Sequence, residues 1–133
     1  MPRQNIQPEA LAKRVVDGHV LYSHAVVVEG RRMVFISGQV PRDVHGNVIG
    51  KGDMAAQIRQ VGENIKTALE AAGATWNDVV KATTYATDID EFFRHMDVRM
   101  EYFTALPAST TVEVSRLSNP DFMVEIEVIA VLD

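Results

Sequence analysis

The residues best suited to chemistry in this sequence are two glutamates near its end, Glu125 and Glu127, within the apolar run Met123–Leu132. Successive side chains of a β-strand point to opposite faces of the sheet. One face of a strand here would be wholly apolar and would consist of Val124, Ile126, Val128 and Ala130. The glutamates share the other face, where they either meet water at a half-buried strand or lie in a partly desolvated cleft. In such a cleft, Glu125 would orient or deprotonate a water molecule.

The pattern of the remaining chain predicts the order ββ-α-β-α-ββ. Residues 19–28 and 33–37 have strand composition and are expected to form a hairpin, after a loose arm that pairs briefly near residues 14–16. Residues 38–52 contain four glycines and a proline, which is typical of a loop. The later predicted elements are a helix capped by Asp53 and ended at Gly73, a strand over 79–87, a helix over 91–105 and strands over 109–116 and 123–132.

The two amphipathic helices can cover only one face of the predicted sheet. That face matches the dry side of the last strand. The opposite face keeps Ile129 and Val131 together with threonine and tyrosine side chains, and no predicted helix covers it. A mixed, uncovered face of this size indicates contacts with further copies of the chain. We therefore expect a small cyclic homo-oligomer with clefts between subunits.

Composition and charge narrow the classes of function. The 133 residues suit one domain over 1–133 and are 47% hydrophobic and 23% charged, as in ordinary globular proteins. The chain has no cysteine, which excludes a disulfide framework, a thiol nucleophile and a cysteine-ligated metal. A net charge of -5 argues against a nucleic-acid partner. No apolar run approaches the ~18 residues of a membrane span and no secretory signal begins the chain, so we expect a cytoplasmic location without membrane contact.

Several separated motifs give the sequence a family resemblance. They are Tyr22–Ala25, Phe35–Pro41, the helix from Gln57 to Ala74, Pro107–Ala108, Val112–Leu117 and Val124–Ala130. In this order and spacing, the motifs resemble the RidA/YjgF/L-PSP family of reactive-intermediate deaminases. The resemblance covers the chain from about Tyr22 to Val131. It is more specific for the fold than for the reaction.

The resemblance implies both an assembly and an activity. The expected fold is α+β and chorismate-mutase-like, a mixed sheet with two helices packed on one face. Three copies would form a homotrimer with a barrel-like centre and clefts at the subunit interfaces. Typical members hydrolyse enamines and imines of 2-oxo acids, such as 2-aminoacrylate and 2-iminopropionate, to the 2-oxo acid and ammonia. They use no metal and no organic cofactor.

The resemblance also carries roles to individual residues. Tyr22 matches a tyrosine that lines the cleft, and Ser37 and Gly38 match a pair that contacts the substrate. Glu125 matches the glutamate that positions the attacking water. This role agrees with the reading of the last strand as one wall of a cleft.

One motif departs from the family pattern. Typical deaminases carry Pro-Ala-Arg-Ser, whose arginine grips the substrate carboxylate, whereas this chain has Ser109 at the arginine position. Thr111 replaces a residue that is often cysteine. Loss of a charged hydrogen bond worth roughly 1.5–3 kcal/mol would weaken the binding of an imino acid substantially. Arg42, just after Pro41, is the cation nominated as a substitute; the alternative is that Arg42 is simply solvated.

The leading hypothesis is a cofactor-free hydrolase or deaminase for a small enamine, imine or related reactive metabolite, in a branch without the usual arginine. Glu125 would be catalytic, and Tyr22, Ser37, Gly38, Ser109, Thr111 and Arg42 would bind the substrate. The alternative is a non-catalytic protein that binds or senses a small ligand in the same clefts; Ser109 favours this alternative. An endoribonuclease or translation inhibitor is the reading that the acidic charge disfavours most.

Overall fold

The computed structural model describes residues 2–133 and shows an α+β fold. The strands are β1 (Arg3–Ile6), β2 (Val15–Val16), β3 (His19–Val20), β4 (Ala25–Val28), β5 (Arg32–Gln39), β6 (Val79–Ala86), β7 (Ala108–Glu113) and β8 (Val124–Leu132). The helices are α1 (Met54–Ala71), α2 (Ile89–Phe93) and α3 (Met96–Arg99), and a short 3₁₀ helix spans Trp76–Asp78.

The last strand lies at the centre of the main sheet. The strand order is β5-β8-β6-β7, and β8 runs antiparallel to both of its neighbours. Strands β6 and β7 are parallel, and the chain between them, which contains α2 and α3, makes the crossover that parallel pairing requires. Because β8 joins the two halves of the sheet, its alternation fixes which residues face the helices and which face away.

The predicted dry face of β8 is confirmed. Val124, Ile126, Val128 and Ala130 are all at most 2% exposed and belong to the main core. The apolar stripe of α1 packs in the same core, with Ile58, Val61, Ile65 and Leu69 fully buried. Each such side chain contributes about 1.5–3 kcal/mol relative to an exposed position. This shared core fixes the position of β8 against α1.

The boundaries of α1 follow the predicted capping chemistry. The Asp53 carboxylate accepts a hydrogen bond from the backbone N–H of Ala56, at 3.1 Å, and so satisfies one free donor of the first turn. At the other end, Gly73 adopts a φ of 81°, a left-handed conformation in which a Cβ atom would be strained.

The predicted hairpin between residues 19–28 and 33–37 is wrong. The first segment divides into β3 and β4, and β4 pairs with β1 of the N-terminal arm, while β5 pairs with β8. The turn between β4 and β5 delivers the chain to β8, because the backbone N–H of Arg31 donates to the carbonyl of Leu132 at 2.8 Å. The arm is therefore more ordered than predicted, although Met1 lies outside the described residues; the brief pairing near residue 15 is confirmed as β2 with β3.

The single helix predicted over 91–105 is also wrong, because it is two short helices. The Glu91 side chain accepts hydrogen bonds from Arg94 at 2.6 Å and from the His95 ring at 2.9 Å. At His95 the backbone leaves the helical region, with φ −122° and ψ 34°. Strand β7 ends at Glu113, three residues before its predicted end. Arg99, the last residue of α3, is only 3% exposed, which has consequences for the site.

Candidate active site

The carboxylate of Glu125 lies directly over the backbone of Gly38 on the neighbouring strand. A Cβ atom at residue 38 would overlap that carboxylate and would come within 2.9 Å of its Cδ. The register between β5 and β8 shifts between Ile36 and Gln39, and this irregularity carries Gly38 beneath the glutamate. Glycine is therefore required here by the close approach of a side chain.

The surroundings of Glu125 favour its protonated form. Partial burial raises the pKa of Glu125, and the nearby charge of Glu127 raises it further. Glu127 itself is exposed and accepts a hydrogen bond from the Tyr85 hydroxyl at 2.8 Å. A carboxyl group whose pKa is raised toward neutrality is suited to exchange protons with bound water and substrate.

Ser37 precedes Gly38, which contacts Glu125, but the Ser37 side chain lines a separate cavity. The side chain is exposed on the face of the sheet that carries no helix, which we call the open face. A cavity of about 300 Å³ on that face is lined by Ser37, Lys81, Thr83 and Glu127, among others. Lys81 donates to the Thr110 hydroxyl at 3.2 Å and brings a cation to this face.

A second group of predicted site residues lines a different cavity. A cavity of about 130 Å³, partly open to solvent, is lined by Tyr22, Ser109 and Thr111, together with Arg14, Leu21, Ile89, Phe93 and Arg99. Strand β7 supplies Ser109 and Thr111, and the chain between β3 and β4 supplies Tyr22. The structure thus brings these three predicted residues together around one cavity, apart from Glu125 and Ser37.

The two groups lie on opposite faces of the sheet. In the register of β6 and β7, Ser109 is paired with Ala82 and Thr111 with Thr84, both of which are buried beneath the helices. In the register of β6 and β8, Glu125 is paired with Tyr85, one position out of phase. Because paired residues point to the same side, one copy of the chain keeps Glu125 apart from Ser109 and Thr111.

The sequence reasoning missed Arg99, which is 3% exposed and lines the same cavity as Ser109. Its guanidinium donates to the Ser109 hydroxyl at 3.2 Å and to the carbonyl of Leu21 at 2.9 Å. The signal was present in the sequence, because Arg99 follows Met96 by three residues and precedes Phe103 by four. An arginine at a core position of an amphipathic stripe deserves the same notice as a buried glutamate.

Arg42, the nominated substitute for the family arginine, lies elsewhere. It is exposed on the loop between β5 and α1, and its backbone forms an isolated bridge with Val48. Its surface groove is shared with Asn64 and Thr67 of α1 rather than with Ser109. A role for Arg42 in binding the substrate therefore stays a prediction with no contact to the Ser109 cavity.

Two further observations concern metal ligands and membrane-spanning helices within residues 2–133. No group of three or more histidine and acidic side chains in that range has the arrangement to hold a metal ion. Over the same residues, none of the helices combines the length and the hydropathy that crossing a bilayer requires.

The architecture and the site define a class of small α+β protein in which a carboxylate on a central strand packs against a glycine of the neighbouring strand. The family model described as Endoribonuclease L-PSP matches residues 14–132. The chain therefore belongs to this family, the RidA/YjgF family that its motifs resemble.

Relatives and solved structures agree with this assignment. A RutC family protein of Pyrococcus horikoshii is 47% identical over 110 residues, which cover 82% of this chain and 85% of the relative. A 2-iminobutanoate/2-iminopropanoate deaminase of Salmonella typhimurium is 40% identical over 103 residues, covering 74% and 79% of the two chains. The crystal structure of the Rid family protein YyfB of Yersinia pestis, described as of unknown function, superposes with a TM-score of 0.84 at 33% identity, over 99% of this chain and 100% of that one.

Proposed function

We propose that the protein hydrolyses a small imine or enamine of a 2-oxo acid to the 2-oxo acid and ammonia, without a cofactor. The observation that carries the proposal is the Glu125 carboxylate, partly buried over Gly38 with a raised pKa. The similar protein of Salmonella typhimurium is called a 2-iminobutanoate/2-iminopropanoate deaminase, and this name supports an imino acid as the substrate class.

Glu125 would serve both halves of the hydrolysis. The ionised carboxylate orients a water molecule and accepts its proton as the water oxygen bonds to the carbon of the C=N group. The carboxyl group then delivers that proton to the nitrogen. The hydroxyl proton of the resulting carbinolamine then passes, again through Glu125, to the nitrogen, and the C–N bond breaks as the carbonyl forms, so that one water and one imine give one 2-oxo acid and one ammonia. General acid–base catalysis of this kind typically contributes about 10²–10⁴-fold in rate.

The proposed site would need a second copy of the chain, because Glu125 and the Ser109 cavity lie on opposite faces of one sheet. The open face also exposes large apolar side chains, with Phe35 68% and Met33 60% accessible. Covering such side chains favours association. We therefore propose the homotrimer with a chorismate-mutase-like, barrel-like centre, in which the open face of one copy meets the Ser109 cavity of the next.

The activity is tested with 2-iminopropionate, which an amino-acid oxidase generates from alanine in the presence of semicarbazide. A protein that hydrolyses the imine competes with the trap, so the initial rate of semicarbazone formation falls as enzyme is added. Heat-denatured protein is the control that should leave the rate unchanged. The Glu101→Gln variant, which loses an exposed acid paired with Arg59, should lower the rate as the parent does. An unchanged rate at a large molar excess of protein would contradict the proposal.

A non-catalytic binding protein is the second candidate. It is favoured by Ser109, which stands where the family resemblance implies an arginine. Saturable binding of a 2-oxo acid with no imine hydrolysis would select this candidate. Titration of the protein with pyruvate, followed by NMR or calorimetry, separates the two.

A further inference from the structure

The strongest unexplained group in the structure is the buried guanidinium of Arg99. It is 3% exposed, yet no carboxylate among residues 2–133 forms an ion pair with it. Its hydrogen-bond partners are neutral: the Leu21 carbonyl, the Ser109 hydroxyl and the Met100 thioether. A buried charge is costly unless a charge of opposite sign compensates it.

The acids nearest to Arg99 along the chain and across the crossover are engaged elsewhere. Asp97, on the same helix, lies 2.6 Å from the ring of His19 and is largely exposed. Glu113, at the end of β7, accepts a hydrogen bond from the backbone N–H of Ile89 at 3.1 Å. Glu101, which like Asp97 is two residues from Arg99, lies 2.7 Å from the guanidinium of Arg59. None of these three carboxylates forms an ion pair with Arg99.

The cavity beside Arg99 has the composition of a small anion site. A second cation, Arg14, lies over the ring of Phe93, 4.3 Å from its centroid, and lines the same cavity. Ser109 and Thr111 add hydroxyl groups to its wall, and none of the lining residues is acidic. On the same face as Thr111, the buried Thr84 hydroxyl has no hydrogen-bond partner within residues 2–133.

Packing also fixes the orientation of Arg99. Its guanidinium carbon lies 4.0 Å from the centroid of the Phe103 ring, and the Ser109 hydroxyl holds one terminal nitrogen. Burial lowers the pKa of Arg99 to about 10, so the group is still charged at neutral pH. A charged, immobile donor facing this cavity loses little entropy when it binds an anion.

We propose that Arg99, together with Arg14, binds the carboxylate of the substrate in this cavity and so replaces the arginine that Ser109 displaces on β7. This inference rests on the proposed function for the identity of the ligand, a 2-oxo or 2-imino acid. It transfers the anion-binding role from the sheet to helix α3. In this arrangement Ser109 is a positioning residue. Its hydroxyl orients the guanidinium, and the arginines bind the carboxylate.

The test compares the binding of pyruvate and of its neutral amide, pyruvamide, to the intact protein by NMR or calorimetry. Arg99→Gln is expected to weaken pyruvate binding by between about tenfold and about a hundredfold, as for loss of a charged hydrogen bond, and to leave pyruvamide unchanged. Arg99→Lys should retain part of the preference for the anion. Arg59→Gln, which removes an exposed cation on α1, is the matched control and should bind pyruvate like the parent.

A second variant separates anion binding from a structural role. Ser109→Asp places a carboxylate beside the guanidinium, so the protein should stay folded, with its melting temperature kept or raised, while pyruvate binding is lost. Pyruvate binding that survives both Arg99→Gln and Ser109→Asp would overturn the proposal. If Arg99→Gln does not fold, Ser109→Asp and Arg99→Lys decide the question alone.

The outcomes also distinguish this inference from the proposed function. A protein that binds pyruvate through Arg99 but does not hydrolyse 2-iminopropionate keeps the inference and loses the deaminase. Conversely, an active deaminase whose KM for 2-iminopropionate is unchanged by Arg99→Gln keeps the function and loses the inference.

Discussion

The two sides of the main sheet carry groups of opposite character. On the open face, the central strand presents Glu125, whose pKa is raised, beside a second carboxylate, Glu127. Under the helices, the edge strand β7 presents Ser109 to a cavity with two arginines and no acid. One face thus offers a proton-exchanging group and the other an anion-binding group. One chain carries both groups but on opposite faces, so a reaction that uses both would need a site shared between copies, as we propose.

The comparison predicts the largest effect for Glu125. Replacing it by glutamine removes the proton acceptor while it keeps the shape of the side chain, so kcat for imine hydrolysis should fall by about 10²–10⁴-fold. Pyruvate binding, which we assign to the other face, should change little. A Glu125→Gln variant that retains kcat would contradict the assignment of proton transfer to the open face. Glu101→Gln is the control for loss of an exposed acid.

Gly38→Ala tests whether activity depends on the position of the Glu125 carboxylate as well as on its presence. The added methyl group would displace Glu125, so we expect activity to fall between about tenfold and about a hundredfold, because small misplacements of a catalytic group are costly. Gly46→Ala is the matched control, since nothing lies within 4 Å of its Cβ position but its φ is 85°. That variant should lose about 1–2 kcal/mol of unfolding free energy and keep its activity. Equal activity losses in both variants would point to a general effect of the substitutions.

Phe35→Asp addresses the open face as a contact surface. A charge placed where the partner chain is expected to pack should shift the sedimentation coefficient toward the monomer and lower activity at micromolar protein by about tenfold. The control Val44→Asp, at a loop residue that is 93% exposed, should change neither property. A stable oligomer with full activity in Phe35→Asp would show that this face is not where copies meet.

The smallest expected effect concerns stability and pH. Because the pKa of Glu125 is raised in the fold, its contribution to stability is present below the pKa of an unfolded glutamate, about 4.3, and is lost as pH rises through the folded value. Glu125→Gln should therefore melt slightly higher than the parent at pH 7, and the difference should shrink toward pH 4. Melting curves across this range check the sign; a glutamine variant that is less stable at pH 7 would contradict the raised pKa.

The elements with strong local signals were predictable. The alternation of β8 and the stripe and caps of α1 are dictated by periodicity and by single polar contacts such as Asp53 with Ala56. The sequence therefore places Glu125 on the face opposite the core. It places Ser37 at the end of a strand but assigns Gly38 to the following loop, whereas β5 continues to Gln39. The contact between Gly38 and Glu125 depends on a register shift that no local pattern reveals.

Long-range pairing and the broken helix were not predictable in the same way. The choice of β5 or β1 as the partner of β4 depends on contacts that no local pattern reveals. In the structure β4 pairs with β1 of the N-terminal arm, with Val27 opposite Gln4. At the break the backbone of His95 leaves the helical region, although the apolar stripe continues across it, so periodicity does not reveal the break. The spacing of Arg99 from Met96 and Phe103 already places it on the apolar side of the helix, but its contact with Ser109 depends on long-range packing that no local pattern reveals.

The most direct test of a site shared between copies is complementation in mixed oligomers. Glu125→Gln and Arg99→Gln chains are co-expressed with different affinity tags, and oligomers that carry both tags are isolated and assayed at low concentrations of 2-iminopropionate. If each site takes Glu125 from one copy and Arg99 from its neighbour, a trimer that carries both tags has one parent site among its three, so about a third of the parent activity returns. Activity no greater than the sum of the two variants would contradict the shared site and place the whole reaction within one chain.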